Sequence, residues 1–200
     1  MNGLTSVDRS TPTRIFRLPG SKPVMVRVIS PQDADRLQAY VRNLSNPTRR
    51  NRFLGAVNEL TPSALERLAH MGGPDELALI AFAGAGSETA MIAEAVEVMA
   101  PQSRRCEIAL SVTDVWQRKG LGTLLLATLE RHARLLGARC LVGEVLRTND
   151  AVKALARKAG FAIRGPFGDA RLVEIVKDLS IPETALPCHE QFSQPRSVAA

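Results

Sequence analysis

The stretch Val112-Thr113-Asp114-Val115-Trp116-Gln117-Arg118-Lys119-Gly120-Leu121-Gly122-Thr123 decides the fold. An alternating apolar run leads into it, and a helical pattern of leucines leaves it. We therefore predict a strand, a basic glycine turn and a helix N-terminus. The free N–H groups of a first helical turn and the helix dipole favour an anion, and glycine lets a ligand approach the backbone. The turn suits a diphosphate, although a turn that uses glycine only for its shape has the same spacing.

Length and charge narrow the classes of partner. Two hundred residues are enough for one well-buried domain with tails, and only 4% of them are aromatic, so the core must be aliphatic. The net charge of +6 favours acidic partners in general. The basic residues are dispersed and are not interleaved with aromatic residues. A specific nucleic-acid interface is therefore not expected, whereas an anionic cofactor is.

The cysteines and the hydropathy pattern indicate neither a metal site nor a membrane partner. Cys106, Cys140 and Cys188 are widely spaced, and no histidine lies at metal-ligand spacing from them. No apolar run reaches the roughly 18 residues of a membrane span, and the N-terminus lacks a signal-peptide core. We expect a cytoplasmic protein without a metal, either a monomer or a homodimer.

The patterns along the chain predict one domain over residues 23–178, between a flexible tail at 1–22 and a disordered tail at 179–200. The predicted order of elements is β-α-α-α-β-β-β-α-β-α-β-β. The strand–helix–strand unit over 106–145 should form a right-handed parallel crossover, and the strands before it should be antiparallel. The expected fold class is α/β, with a mixed, mostly antiparallel sheet and flanking helices rather than a doubly wound parallel sheet.

These residues resemble the GCN5-related N-acetyltransferases (GNAT). Residues 117–122 fit the Q/R-x-x-G-x-G/A turn of that superfamily, and the downstream Asn149, Gly160 and Phe161 fit its later pattern. The resemblance spans about residues 24–176. The segment 50–54, followed by Leu60-Thr61, is similar to the acetyltransferase domain of bacterial protein-lysine acetyltransferases. The resemblance implies the GNAT fold, with a central parallel β-α-β unit whose two strands splay apart.

The resemblance also implies acetyl-CoA as co-substrate, held in the V between strands 106–112 and 140–145. The pantetheine would pair with the backbone of Leu110 and Val112, and the Val112 N–H would stabilise the oxyanion. Asn149 would face the pantetheine arm, although a plain helix N-cap is an equally good interpretation. The diphosphate would lie on the turn residues, which are Gln117, Arg118, Lys119, Gly120, Leu121, Gly122 and Thr123.

The reaction needs a group that takes a proton from the amine. A lysine-like amine has a pKa of about 10.4 and is protonated at neutral pH. Glu107 is the best candidate, because strand alternation places it opposite the apolar residues of its strand and the related lysine acetyltransferases carry a glutamate at the matching point. The alternative is a strand-end carboxylate paired with Arg104 or Arg105. Glu94 and Glu97 are weaker candidates, of which one should face the substrate cleft and the other solvent.

The chain departs from the family pattern at the group that protonates the leaving thiolate. Many members place a tyrosine four residues before the Gly-Phe pair, where this chain has Ala156. The only tyrosine is Tyr40, in the first predicted helix. A thiol with a pKa of about 8.5 can leave without a strong acid, and water or Ser111 could supply the proton.

Three functions stay open at this point. The leading hypothesis is an acetyl-CoA-dependent N-acetyltransferase in which a primary amine, most plausibly a protein lysine, attacks directly in a ternary complex. Arg49, Arg50 and Arg52 could then meet acidic flanks on a protein substrate. The alternatives are a small-molecule amine N-acetyltransferase and a non-catalytic acyl-CoA-binding regulatory module.

Overall fold

The computed structural model describes residues 13–84, 89–165 and 169–180. The strands are β1 (Arg14–Phe16), β2 (Val24–Val28), β3 (Glu76–Ala83), β4 (Met91–Ala100), β5 (Arg105–Val112), β6 (Cys140–Leu146), β7 (Ala162–Arg164) and β8 (Leu172–Asp178). The helices are α1 (Ala34–Asn43), α2 (Asn46–Phe53), α3 (Pro62–Ala69), α4 (Leu121–Leu135) and α5 (Asp150–Lys158). The strands form one sheet in the order β1-β2-β3-β4-β5-β6-β8-β7. Within the described ranges, no helix is long and apolar enough to cross a membrane.

The predicted fold class is confirmed, since β5 and β6 are parallel and every other neighbouring pair is antiparallel. The prediction of a loose tail over residues 1–22 was wrong at Arg14–Phe16, which form β1 and pair with β2, Phe16 opposite Val24. This strand has three residues, of which Arg14 and Ile15 are exposed, so no alternating pattern marked it. Residues 1–12 and 181–200 of the two predicted tails lie outside the described residues.

Helix α2 begins at an Asn-Pro pair. Such a pair is typical of a helix boundary, and here Asn46 and Pro47 are the first residues of α2. Ser45 is the N-cap, and its side chain accepts a hydrogen bond from the Thr48 N–H at 3.3 Å. Proline fits the first helical turn because its missing N–H has no intrahelical partner there. The end of α1 at Asn43 is therefore followed at once by the capped start of α2.

Helices cover both faces of the sheet and divide the core in two. On one face, α4 buries Leu121, Leu125 and Leu129 against β4 and β5. On the other face, α1 and α3 cover β3, β4 and the neighbouring strands, with Tyr40 and Phe82 in that second core. We call these the α4 face and the α1 face. A side chain on β4 or β5 points to one face or the other according to strand alternation.

The parallel pair β5–β6 is short and opens into a cleft. Strand β5 pairs with β4 over its whole length, but with β6 only from Arg105, opposite Cys140, to Glu107, opposite Val142. Gly143 follows at the closest point, where an added Cβ would lie 3.0 Å from the carbonyl oxygen of Ile108. Beyond it, β6 stays paired with β8 to its last residue, so β5 and β6 separate.

Candidate active site

Beyond Glu107, the edge of β5 that borders the cleft carries backbone groups that pair with no other strand among the described residues. The Thr113 N–H donates to the Ile92 carbonyl at 2.9 Å, which places the odd-numbered residues of β5 in the hydrogen-bonded pairs with β4. Because such pairs alternate in an antiparallel ladder, Leu110 and Val112 direct their N–H and C=O groups toward the cleft. The Gln117 side-chain amide donates to the Val112 carbonyl at 3.0 Å. The Val112 N–H and both backbone groups of Leu110 resemble an unpaired strand edge.

The glycine turn presents a row of N–H groups at the mouth of this cleft. Arg118 and Gly120 have positive φ angles of 58° and 89°, which turn the chain into α4. The Gln117 N–H donates to the Asp114 carbonyl at 3.2 Å, and the first helical bond runs from Leu124 to Gly120 at 3.0 Å. Within the described part of the chain, no backbone hydrogen bond uses the N–H groups of residues 118–123. The available donors therefore begin at Arg118, one residue after the start that the sequence suggested.

Asn149 caps α5. Its Oδ1 accepts a hydrogen bond from the Val152 N–H at 3.2 Å, which is the N-cap interpretation of this residue. Among the described residues no acceptor for its Nδ2 is found. Gly122, in the first turn of α4, would place a Cβ 3.3 Å from the Leu155 side chain. Helix α5 thus packs closely on the start of α4, and Asn149 lies at the N-terminus of α5.

Glu107 is exposed at the last paired position of β5 and β6. Its side chain points to the α1 face, as Ser111 does, while Cys106 and Ile108 point to the α4 face. The alternative that Glu107 pairs with Arg104 or Arg105 is not what the structure shows, because Arg105 contacts Glu174 at 2.5 Å instead. Among the described residues, the Glu107 carboxylate has no ion-pair partner.

The expectation that one of Glu94 and Glu97 faces solvent was wrong, since both side chains are buried. Glu94 is 5% exposed and points to the α1 face, and Glu97 is 0% exposed and points to α4. Glu97 Oε1 contacts His132 Nδ1, and its Oε2 has no hydrogen-bond partner in the described structure. Burial raises the pKa of Glu97, and the contact with His132 only partly opposes this. Both carboxylates are buried because helices cover both faces of β4.

A buried chain of polar groups lies on the α1 face and was not predicted. The Tyr40 and Ser111 hydroxyls are 2.9 Å apart, and Ser111 Oγ donates to Glu94 Oε1 at 2.7 Å. Arg52 donates to both oxygens of Glu94, from Nε at 2.5 Å and from Nη2 at 3.2 Å. The four residues come from α1, β5, β4 and α2. Their separation along the chain leaves no local pattern that could have revealed them.

Two of the three arginines expected on the surface are held by contacts inside the protein. Arg52 is committed to Glu94, and Arg49 is buried, donating to the carbonyls of Val41, Arg42 and Leu44 at 3.3, 3.1 and 2.8 Å. Only Arg50 of the three is exposed. The suggestion that Arg49 and Arg52 meet acidic flanks of a protein was therefore wrong, because both guanidinium groups hold the fold together.

Helix α2 is also tied to the glycine turn. Thr48 Oγ1 donates to Asp114 Oδ1 at 2.5 Å, and Gln117 Nε2 lies 3.0 Å from Asp114 Oδ1 and 3.2 Å from Thr48 Oγ1. Hydrogen bonds from Thr48 and Ser45 lower the pKa of Asp114. The same Gln117 amide holds the Val112 carbonyl. One side chain thus connects the end of β5, the turn and α2.

Known proteins are similar to this chain in sequence and in fold. Residues 46–161 match the family model described as acetyltransferase (GNAT) family. A protein named Acetyltransferase PA5475 from Pseudomonas aeruginosa is 26% identical over 144 residues, 72% of this chain and 77% of that protein. The crystal structure of the GNAT domain of S. lividans PAT has a TM-score of 0.74 at 24% identity, covering 84% of this chain and 97% of that one. Spermidine N-acetyltransferase from Vibrio cholerae, crystallised with CoA and spermine, has a TM-score of 0.61 at 15% identity and covers 78% and 96%.

Proposed function

Because the chain belongs to the acetyltransferase (GNAT) family, we propose that this acetyl-CoA-dependent enzyme acetylates the primary amine of a protein lysine. The amine would attack the thioester of acetyl-CoA directly, in a ternary complex. The observation that carries the proposal is the cleft between β5 and β6, with a free strand edge on one side and a row of N–H groups at its mouth. Such an edge can pair with the amides of a pantetheine arm, and such a turn can bind a diphosphate.

The cofactor would enter from the mouth toward the closed end of the cleft. The diphosphate would bind the N–H groups of residues 118–123, with Arg118 and Lys119 adding positive charge. The arm would pair with Leu110 and Val112, and Asn149 would offer its Nδ2 group from the opposite side. The thioester is the far end of the arm, so it lies deeper than the diphosphate. The Val112 N–H, or the Leu110 N–H one strand repeat deeper, would then donate to the oxyanion. No group of His, Cys, Asp or Glu that could bind a metal occurs among the described residues.

The acceptor would approach from the α1 face, because α4 and its turn occupy the other face. Glu107 points to the α1 face at the closed end of the cleft, is exposed and has no ion-pair partner among the described residues. We propose that it takes the proton from the amine, directly or through water. General-base catalysis typically contributes about 10²- to 10⁴-fold. The net charge of +6 favours a single lysine beside acidic residues over a polycation.

One observation favours a small-molecule amine instead. A cavity of about 230 Å³ is lined by Glu144, Leu172, Val173 and Glu174. Glu144 lies directly opposite Glu174, on the same face as Glu107, because Val142 pairs with Glu107 two residues earlier. Glu174 is already paired with Arg105, so the exposed carboxylate of Glu144 would attract a cationic amine. A small amine that fills this cavity is the second candidate acceptor.

The test is release of the CoA thiol from acetyl-CoA, with lysine-containing proteins in one series and small amines and polyamines in the other. We expect turnover with protein lysines and an acetyl mass increment on them. Glu107→Gln should lower kcat by about 10²-fold or more, with the affinity for CoA unchanged. Glu66→Gln is the matched control, since Glu66 is exposed on α3, which packs against α1. Turnover with small amines alone would replace the protein acceptor, and an undiminished rate in Glu107→Gln at every pH would remove Glu107 from the mechanism.

A further inference from the structure

Ser111, an inner member of the buried chain Tyr40–Ser111–Glu94–Arg52, belongs to the strand that borders the cleft. Ser111 is the residue between Leu110 and Val112, whose backbone groups face the proposed cofactor. We infer that Ser111 is a second proton acceptor for the attacking amine, and that Glu94 receives the proton through it. This inference rests on the proposed acetyl transfer and adds to it a route for the proton.

The hydrogen bonds of the chain have one direction. The Glu94 carboxylate only accepts, so the single Ser111 hydrogen is donated to it, over 2.7 Å. Tyr40 must then donate to Ser111 Oγ, over 2.9 Å. Burial, assisted by the Glu94 charge, raises the pKa of Tyr40, so its hydroxyl stays protonated and keeps this role. Ser111 Oγ therefore retains one lone pair that no protein group among the described residues uses.

The position of Ser111 suits a group that meets the acceptor. Its side chain points to the α1 face, whereas the side chains of Ile108 and Val112 pack on the α4 face. Ser111 is 5% exposed, which limits contact to a single small group such as an amine nitrogen or one water. Arg52 and Tyr40 come from α2 and α1, not from the strands that border the cleft. They are positioning residues, because they fix Glu94 and Ser111 from opposite ends.

The transfer balances without a further reactant. As the amine nitrogen bonds to the thioester carbon, its N–H bond breaks and the proton passes to Ser111 Oγ, directly or through one water. Ser111 passes its own hydrogen to Glu94 Oε1. When the C–S bond breaks, the sulfur leaves with the electron pair, and the proton returns from Glu94 through Ser111 to form the CoA thiol. The products are the amide and CoA, and Ser111 and Glu94 regain their first states.

This route accounts for the absent tyrosine. Ala156 occupies the position at which many family members carry a tyrosine, and it is buried, so its methyl group offers no proton. The single tyrosine of the chain, Tyr40, acts instead through Ser111, from the other face of the sheet. The thiolate then receives the proton that the amine has lost.

Ser111→Ala and Ser111→Thr test the inference in the 200-residue chain, with whichever acceptor the wild type uses. Ser103→Ala, at an exposed turn, is the control. We expect Ser111→Ala to lower kcat by about 10²-fold with KM for acetyl-CoA unchanged, Ser111→Thr to keep most of the activity, and the control to match the wild type. The deficit of Ser111→Ala should shrink as the pH approaches the amine pKa of about 10.4, because free hydroxide and water replace the relay. Glu94→Gln combined with Ser111→Ala should be no slower than Ser111→Ala alone, since both interrupt one route.

The outcomes separate the two proposals. A Ser111→Ala enzyme with normal kcat overturns the relay and leaves the acetyltransferase proposal standing. The relay is also overturned if the loss of kcat is constant with pH and is shared by Ser111→Thr, and if CoA binding or the melting temperature falls with it. That pattern indicates damage to the fold and leaves the acetyltransferase proposal standing. A wild-type protein that binds CoA and shows no turnover with any acceptor overturns both proposals at once.

Discussion

Gly143 controls how closely β5 and β6 approach before the cleft opens. A Cβ at this position would lie 3.0 Å from the Ile108 carbonyl oxygen and 3.3 and 3.5 Å from two atoms of Ile175. The nearest neighbour is backbone, which cannot rotate away as a side chain does. In Gly143→Ala, β6 must therefore move from β5, and overpacking of this kind costs about 1–3 kcal/mol of unfolding free energy. In a protein of this size each kcal/mol lowers Tm by about 2–4 °C.

The assay is thermal and urea unfolding of Gly143→Ala, with CoA affinity measured on the same samples. Gly73→Ala is the matched control, because a Cβ at Gly73 meets nothing within 4 Å. We expect the control to be neutral or slightly stabilising, since alanine restricts the unfolded chain more than glycine does. We expect Gly143→Ala to be destabilised and to bind CoA more weakly, because the closed end of the cleft widens. If Gly143→Ala and Gly73→Ala unfold alike, the close approach of the strands does not limit this site.

Three further changes have defined outcomes. Burial raises the pKa of Glu97 in the folded protein above the unfolded value of 4.5. Its contribution to the free energy of unfolding is therefore complete below pH 4.5 and is lost as the pH rises through the folded pKa. Glu97→Gln should remove this loss of stability, which urea unfolding curves from about pH 4 to 9 would measure. Burial opposes ionisation of Asp33, but hydrogen bonds from Arg27 and Ser30 lower its pKa from 3.8 to about 2. About 2 kcal/mol of unfolding free energy should therefore be lost as the pH falls from 3.8 to about 2. Asp33→Asn should abolish this acid sensitivity. Gln117→Ala frees the Val112 carbonyl and should weaken CoA binding by about tenfold, the equivalent of one net hydrogen bond, in calorimetric titration.

Local signals made the fold readable from the sequence. The glycine turn, the leucine periodicity of α4 and the alternation in β5 each lie within a few residues, and the structure contains the strand, turn and helix that they predict. The antiparallel strands before α4 and the parallel pair around it followed from the sequence of element types and the handedness of crossovers. β1 left no such signal, because three mostly exposed residues at a sheet edge need no apolar pattern.

The site could be predicted only in part from the sequence, because the burial and pairing of its charged groups depend on contacts between distant segments. Glu94 and Glu97 are three residues apart, so strand alternation places them on opposite faces, and the sequence can show this. It cannot show that helices cover both faces of β4, which decides that both carboxylates are buried. Likewise, Arg52 looked like a surface residue of a basic helix, and its partner lies 42 residues away.

Strand β5 would separate the two proposed tasks of the site by its geometry. Its backbone groups at Leu110 and Val112 point in the plane of the sheet toward the cleft proposed for the cofactor, and its Ser111 side chain points out of that plane to the α1 face, from which we propose that the acceptor approaches. A change of side chain at Ser111 leaves the backbone edge in place, so it should alter kcat without altering CoA affinity. Gly143→Ala acts on the spacing of the strands themselves, so it should alter both. The contrast between these two variants therefore tests whether binding and proton transfer are separable along one strand.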